Sequence, residues 1–248
     1  MNPALISVDK VSKSFGGVRA NSEVSITVPE GKITGLIGPN GSGKTTLFNS
    51  IVGYHPIDSG SIKFENREIS KLRVPQIARL GLLRTFQQTR IYSEMDCVEN
   101  MLISVPHRNA TFADMFKGYS GELNDKAESL LEFVGLYQKR YLISGDLSFG
   151  QQKLLEFAMA LMNEPKVLLL DEPTAGINPT LINGLIDRLK RANEEFGITL
   201  FVIEHNMRVI MNLAEHIYCL AHGEMLAEGG PDEIQNDQRV IDAYLGAH

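Results

Sequence analysis

Only two cysteines occur among the 248 residues, Cys97 and Cys219. They stand far apart in apolar surroundings, which excludes a disulfide framework and predicts reduced packing residues in a cytosolic protein. No block of Lys and Arg appears, and 24 basic against 30 acidic side chains give a net charge of −6, which argues against a nucleic-acid binder. No apolar run approaches the ~20 residues that cross a membrane. The longest, such as "VLLLDEP", read as short buried strands. The opening "MNPALISVDK" has no basic stretch leading into an apolar one, so no secretory signal is expected. Any work at a membrane is therefore expected of a peripheral subunit. Internal repeats, low-complexity tracts and long linkers are missing too. The length suits one large domain, or a core with a subdomain, able to bury a core without disulfides.

What is present begins with "GLIGPNGSGKTT". The flank "KITGL" is apolar and β-branched and reads as a strand, while "TTLFNSIVG" reads as a helix stopping at Gly53. Glycines in a strand-to-helix turn let backbone N–H groups crowd round an anion, and the helix N-terminus adds its partial positive charge. Gly38, four residues, Gly43, Lys44 and Thr45 give the full P-loop spacing, with Pro39, Asn40, Gly41 and Ser42 in the loop and Thr46 after it. Lys44 is expected to reach β- and γ-phosphates, and the Thr45 hydroxyl to ligate Mg²⁺. The loop is therefore predicted to bind a nucleoside triphosphate with Mg²⁺.

Around this loop, "LISVDKVSKSF", "EVSITVPEGKI" and "GSIKFENREI" read as short antiparallel strands. "LGLLRTFQQ" reads as a strand ending at the glutamines. From Met95 to about Leu142 the pattern is helical, through "VENMLISV" and "DKAESLLEFVGLYQKR", with "PHRNATFADMFKGYSGE" irregular between them. A helix follows Ser148 and stops before Pro165. "KVLLLDEP" and "ITLFVIEH" are strands. "PTLINGLIDRLKRANEEFG" is an amphipathic helix with Leu181, Ile182, Leu185, Ile186 and Leu189 as its apolar stripe. "IYCLAHGEMLAEG" is a hairpin turning at His222–Gly223, and a last helix begins at Pro231. Strands alternating with helices imply a parallel sheet. The expected fold is α/β, a P-loop NTPase (RecA-like) parallel-sheet core with an N-terminal antiparallel β-subdomain and a helical insertion.

Ligands sit outside the carboxyl ends of parallel strands, so "VLLLDEP" would bring Asp171 and Glu172 beside the phosphates. Asp171 is expected to hold Mg²⁺ and Glu172 to act as general base on the attacking water. Taken alone, "LSFGQQ" is best read as an ordinary N-cap at Ser148, though such a turn could bind an anion. A lone His205 at a strand end is ordinarily a surface residue.

The order "GPNGSGKTT", "TFQQ", "LSFGQQ", "VLLLDEP", "AGIN", "VIEH" resembles the ATP-binding cassette (ABC) ATPases, from the Phe15 region to the final helix. The resemblance implies a single nucleotide-binding domain over 1–248. Within it, the β-subdomain and P-loop core would occupy 1–87, the helical subdomain with the signature motif 88–164, and core completion with the C-terminal helix 165–248. It implies that the nucleotide is ATP and that Phe15 stacks on adenine. Gln87 would touch Mg²⁺ and water and sense the membrane partner, and His205 would be the switch histidine. Ser148, Phe149, Gly150 and Gln151 would form the signature that binds γ-phosphate of the ATP held by the other subunit, and Gly176 and Asn178 the loop at the dimer interface. Phe149 stands where the signature usually has glycine, and Asn178 where aspartate is usual.

The implied partners are a second ABC ATPase subunit, itself or a paralogue, in a head-to-tail dimer, two separate transmembrane permease subunits and a periplasmic or extracellular solute-binding protein. No nucleic acid is expected. The site of action would be the cytoplasmic face of the cell membrane. "ARLGLLRTFQQTRIYSEMDCVENM", "LSFGQQKLLEFAMAL", "DEPTAGINP", "VIEHNM" and "VIDAYLG" together resemble ATPases of branched-chain (hydrophobic) amino acid importers. ATPases of urea and short-amide importers and of lipopolysaccharide export are the neighbouring alternatives. A soluble ABC protein of ribosomes or DNA would carry two cassettes or a coiled coil, and a metabolic kinase has no use for "LSFGQQ". Within 89–101, some of Ile91, Tyr92, Met95 and Val98 are expected to line a groove for a cytoplasmic helix of the membrane subunit.

Overall fold

The protein is described here by a computed structural model covering residues 3–85, 91–105 and 121–245. Two long strands open the chain, β1 (Ala4–Phe15) and β2 (Val18–Pro29), paired antiparallel across the Gly16–Gly17 turn. Their alternation buries Ile6, Val8, Val24, Ile26 and Val28 on one face. The expected third strand is two, β4 (Ser59–Phe64) and β5 (Arg67–Glu68). Glu65 and Asn66, both with left-handed backbone (φ 50° and 61°), make the tight hairpin between them. The sheet order is β2-β1-β4-β5.

The second sheet is built from β3 (Ile33–Ile37), β6 (Leu82–Arg84), β7 (Val167–Asp171), β8 (Thr199–Ile203), β9 (His216–Ala221) and β10 (Glu224–Gly229), in the order β10-β9-β3-β8-β7-β6. All its pairings are parallel except β9 with the last strand. Strands β3, β7 and β8 are buried at every position, as their unbroken apolar runs require of a sheet covered on both faces. Leu36 is level with Ile203, and Ile203 with Asp171, so these three strands end together at one edge. Helix α1 (Lys44–Ile51) sets Phe48 against Phe201, ring centroids 4.8 Å apart, inside a core that also takes Ile6, Ile26 and Phe64 from the first sheet. The Tyr218 hydroxyl joins the sheets, accepting from Thr27 N–H and donating to Thr27 C=O. Both cysteines are buried and free, and burial pushes each thiol up to about 11, which makes them inert packing groups.

The chain divides into two compact units. One comprises Met1–Arg84, Lys166–Thr174 and Leu189–His248, the other Thr85–Pro165 and Ala175–Arg188. The second is helical, with α3 (Cys97–Ile103), α4 (Gly121–Phe133) and α5 (Phe149–Leu161) and short 3₁₀ turns at Tyr137–Lys139 and Ser144–Asp146. Helix α4 stops seven residues short of the expected end at Arg140: Gly135 (φ 78°) terminates it, and "LYQKR" forms the first 3₁₀ turn instead. The stretch expected to be irregular lies mostly within 106–120, outside the described residues. Helix α6 (Pro179–Phe196) buries Leu185 and Leu189, but Leu181 is 49% exposed, since it sits in the first turn beside Gly150 rather than on the core face. After α7 (Met207–Leu213) and the β9–β10 hairpin, the C-terminal helix is two, α8 (Pro231–Asn236) and α9 (Gln238–Leu245), broken at Asp237, whose extended backbone ends the first. The remaining short helix, α2 (Val74–Ala78), precedes β6.

Candidate functional site

The glycine-rich loop expected to cradle phosphate grows from β3. Gly38 leaves the sheet at φ 144°, and a Cβ there would come within 2.1 Å of the Leu220 carbonyl oxygen. Gly43 (φ 100°) is as tightly held, since a Cβ would meet Ala20 O at 2.2 Å, and the buried Asn21 amide donates to its carbonyl at 3.2 Å. Gly43 is the N-cap of α1 and supplies no side chain to its first N–H groups, nor does an acidic residue occupy the first turn. Donors left open at a helix start suit an anion. Lys44 is 5% exposed, and its Nζ donates to Gly38 O (2.8 Å) and Pro39 O (3.0 Å), with Ser42 Oγ at 3.4 Å. Burial pushes this ammonium below its ordinary value, and the Glu172 and Asp171 carboxylates partly oppose that.

Across the edge, β7 delivers Asp171, 2% exposed. Its Oδ2 takes the Arg84 guanidinium at 2.5 Å, while the same Arg84 donates to Asn49 of α1. Oδ1 of Asp171 is buried with no hydrogen-bond partner among the described residues. An orphaned carboxylate oxygen, with the exposed Thr45 hydroxyl at the start of α1, fits a cation better than an apolar site would. Glu172 follows with a left-handed backbone (φ 51°), unusual for its side chain, fixed by its N–H on Ile203 O at 3.0 Å. His205 Nε2 donates to Glu172 Oε1 at 2.6 Å, so the structure joins two residues that the sequence placed in separate roles. Phe15 lies at the end of β1, 43% exposed, edge-on to His55 (centroids 5.2 Å), with Lys13 Nζ 5.1 Å from its ring centre.

The supports went unread in the sequence. Glu204, 2% exposed, accepts from Thr174 N–H (3.0 Å) and Oγ1 (2.6 Å), tying the turn after Glu172 to the end of β8. Arg84 and Asn21 act similarly on Asp171 and Gly43. Four apolar residues before Asp171 announce a buried strand, but no spacing rule points to an arginine 87 residues earlier.

In the helical unit, Ser148 is an exposed N-cap: its Oγ accepts from Gln151 N–H, and Gln151 Oε1 accepts from Ser148 N–H, a reciprocal box. Phe149, 45% exposed, lays its ring on Gly176, where any Cβ would come within 2.9 Å of it. The aromatic departure is thus matched by the one residue in that loop that leaves room for it. Asn178 Oδ1 accepts from Thr180 N–H and Oγ1, capping α6. Gln87 lies outside the described residues. The buried Asn100 side chain organises 92–96, accepting from Tyr92 N–H and donating to the Tyr92, Met95 and Asp96 carbonyls. Ser144 N–H to Met95 O and Gly145 N–H to Ser93 O join that segment to 140–145, leaving Tyr92, Tyr141, Leu142 and Ile143 exposed. Val98 is buried and belongs to the core.

The family model for ABC transporters matches residues 21–175. The chain belongs to the ABC transporter family. A second model, described as branched-chain amino acid ATP-binding cassette transporter, matches 224–248. Among curated relatives, the high-affinity branched-chain amino acid transport ATP-binding proteins LivG of Salmonella typhimurium and BraF of Pseudomonas aeruginosa are each 36% identical over 99% of this chain and 99% of their own. The probable LivG of Methanocaldococcus jannaschii is 36% identical over 98% of this chain and 97% of its own. The ADP conformation of an ATP-binding cassette of an ABC transporter superposes with TM-score 0.89 at 33% identity, covering 99% of this chain and 100% of that one. A dimeric bacterial ABC transporter cassette gives 0.77 at 26% identity over 91% and 98%. This chain is accordingly an ABC ATPase with the P-loop NTPase fold, and no helix among its described residues is long and apolar enough to cross a membrane.

Proposed function

We propose that this ABC ATPase energises uptake of branched-chain or other hydrophobic amino acids from the cytoplasmic face of the membrane. The observation that carries the chemistry is the meeting of Lys44, Asp171, Glu172 and His205 at one edge of the parallel sheet. Lys44, with the N–H groups at the start of α1, neutralises phosphate charge. Glu172 takes the proton of the attacking water, and His205, bonded to Glu172 Oε1, fixes the carboxylate's orientation. Thr45 and Asp171 would hold Mg²⁺ together with Gln87, and the ion would supply charge neutralisation at the β- and γ-phosphates. Phe15 offers an exposed ring to the adenine.

In this reading 1–248 is one nucleotide-binding domain, with the β-subdomain and P-loop core in 1–87, the helical subdomain in 88–164 and the completed core in 165–248. Ser148, Phe149, Gly150 and Gln151, with Gly176 and Asn178, face the nucleotide of a second copy or paralogue. The exposed N-cap at Ser148 supports this, since its hydroxyl accepts from Gln151 N–H in its own turn and can exchange that bond for a phosphate. The partners are two permease subunits and a solute-binding protein. The exposed Tyr92, Tyr141 and Ile143, held on a buried Asn100 scaffold, support a groove for a permease helix. The solute rests on the relatives' printed activity. Proteoliposomes holding this chain, its permeases and the binding protein should take up labelled leucine with ATP hydrolysis. Uptake of urea or acetamide but not leucine would overturn the solute, and ATPase activity indifferent to permease would overturn the transport role.

A further inference from the structure

The ending "VIDAYLG" has no role in the chemistry above, yet its tyrosine reaches the P-loop. Tyr244, on α9, accepts a hydrogen bond from the N–H of Gly38 at 2.8 Å, across 206 residues of sequence. Gly38 is the first residue past β3, whose last residue, Ile37, still pairs with Cys219. Its N–H has thus left the ladder, and the backbone is pressed so closely on Leu220 that no side chain of its own could serve it. The other side of the same residue is also engaged: Gly38 C=O accepts from Lys44 Nζ at 2.8 Å. One residue is therefore held at its N–H by the C-terminal helix and at its carbonyl by the phosphate-binding lysine. The phenol is half-buried, and burial pushes it up to about 12, so it remains a neutral hydroxyl able to accept. Helix α9 is itself fixed at its start, where the Asp237 carboxylate takes both the Arg239 N–H and its guanidinium, and Val240 is buried.

We propose that Tyr244 is a positioning residue for nucleotide binding: it fixes the Gly38 peptide on which Lys44 rests, and so couples α9 to the P-loop. When Lys44 turns to a phosphate it gives up or shares its bond to Gly38 O. The loop must then keep its shape on its remaining contacts, among them the Tyr244 bond and the Gly223 N–H on Ser42 O. Coupling of this kind is reciprocal, so nucleotide should stabilise α9 as α9 favours nucleotide. The inference rests on the reading of Lys44 as the phosphate ligand.

The test uses ADP, which lacks the γ-phosphate expected to close a dimer. In the wild-type chain, saturating ADP should slow amide exchange across 238–245. Tyr244→Phe keeps the ring, loses the acceptor, and should raise the ADP Kd roughly fivefold, as one neutral hydrogen bond would. Tyr218→Phe is the matched control: it loses two hydrogen bonds to Thr27 in the same unit and should lower the urea midpoint without changing the Kd. A Tyr244→Phe protein that loses stability but binds ADP like wild type reduces Tyr244 to structural support and overturns the proposal. If that variant does not fold, exchange in the wild type decides alone: ADP bound with α9 unchanged overturns the proposal. A wild-type chain that fails to bind ADP overturns the P-loop reading as well.

Discussion

In the unit that carries the P-loop, site residues are held by groups from distant parts of the chain. Asn21 and Ala20 confine Gly43, Leu220 confines Gly38, Arg84 takes Asp171, and Glu204 anchors Thr174. In the helical unit the two polar caps are held by near neighbours, Ser148 by Gln151 and Asn178 by Thr180, while Phe149 only rests its ring on Gly176. Long-range bracing in a buried setting is costly to break, because each lost partner strands a polar group away from water. A local cap on the surface opens cheaply. The contrast teaches that the first unit is built to keep its geometry, and the second to offer groups that can change partner.

The largest expected break lies in the first unit. Lys44→Ala should raise the ATP Kd at least a hundredfold by calorimetry with Mg²⁺ present, while the chain stays folded, because phosphate charge would face only backbone dipoles. Wild-type affinity would remove Lys44 from the site. Next, Glu204→Ala should cost about 2 to 3 kcal/mol in urea denaturation, since it leaves the Thr174 N–H and hydroxyl buried without an acceptor. It should also slow turnover by loosening the turn after Glu172; a stable variant of normal rate would show that the anchor is dispensable. In the second unit, Ser148→Ala should cost about 1 kcal/mol as a lost N-cap. ATP affinity of the isolated chain should not change, while ATP-driven dimerisation should weaken; unchanged dimerisation would leave Ser148 as a cap alone.

The smallest effect is a pH dependence. Asp58 accepts from Lys13 Nζ and from Ser14 N–H, and these bonds hold its carboxyl below the ordinary value of 3.8. A carboxyl lowered on folding contributes stability that is present above its unfolded value and is lost as pH falls through the folded one. Asp58→Asn should therefore lower stability slightly at pH 7, with the difference from wild type fading as pH falls below about 4, so that the acid limb is flatter. Because the group is exposed, an effect comparable to that of Glu204→Ala would contradict this account.

The sequence carried the motif residues and missed their braces, for a physical reason. A P-loop or a buried strand is a local pattern, visible in spacing and periodicity, so β3, β7 and β8 were legible almost to the residue. Arg84, Glu204 and Tyr244 work by tertiary contact, and nothing beside them in sequence announces the partner. Boundaries failed where a local signal was overlooked: Gly135 ends α4 early, and the Glu65–Asn66 turn splits one expected strand in two. Leu181 fits the apolar stripe of α6 by periodicity, but the first turn projects past the core, so the pattern named a face that was not covered.

The central claim is that Glu172 removes a proton during hydrolysis, and that ATP left intact holds two chains together. Glu172→Gln keeps the shape and loses the base. Size-exclusion chromatography of this variant with ATP, alongside its hydrolysis rate, tests both halves at once. The account predicts a dimer peak with ATP, a monomer without it, and almost no phosphate release. Hydrolysis at the wild-type rate, or a monomer at saturating ATP, would contradict it.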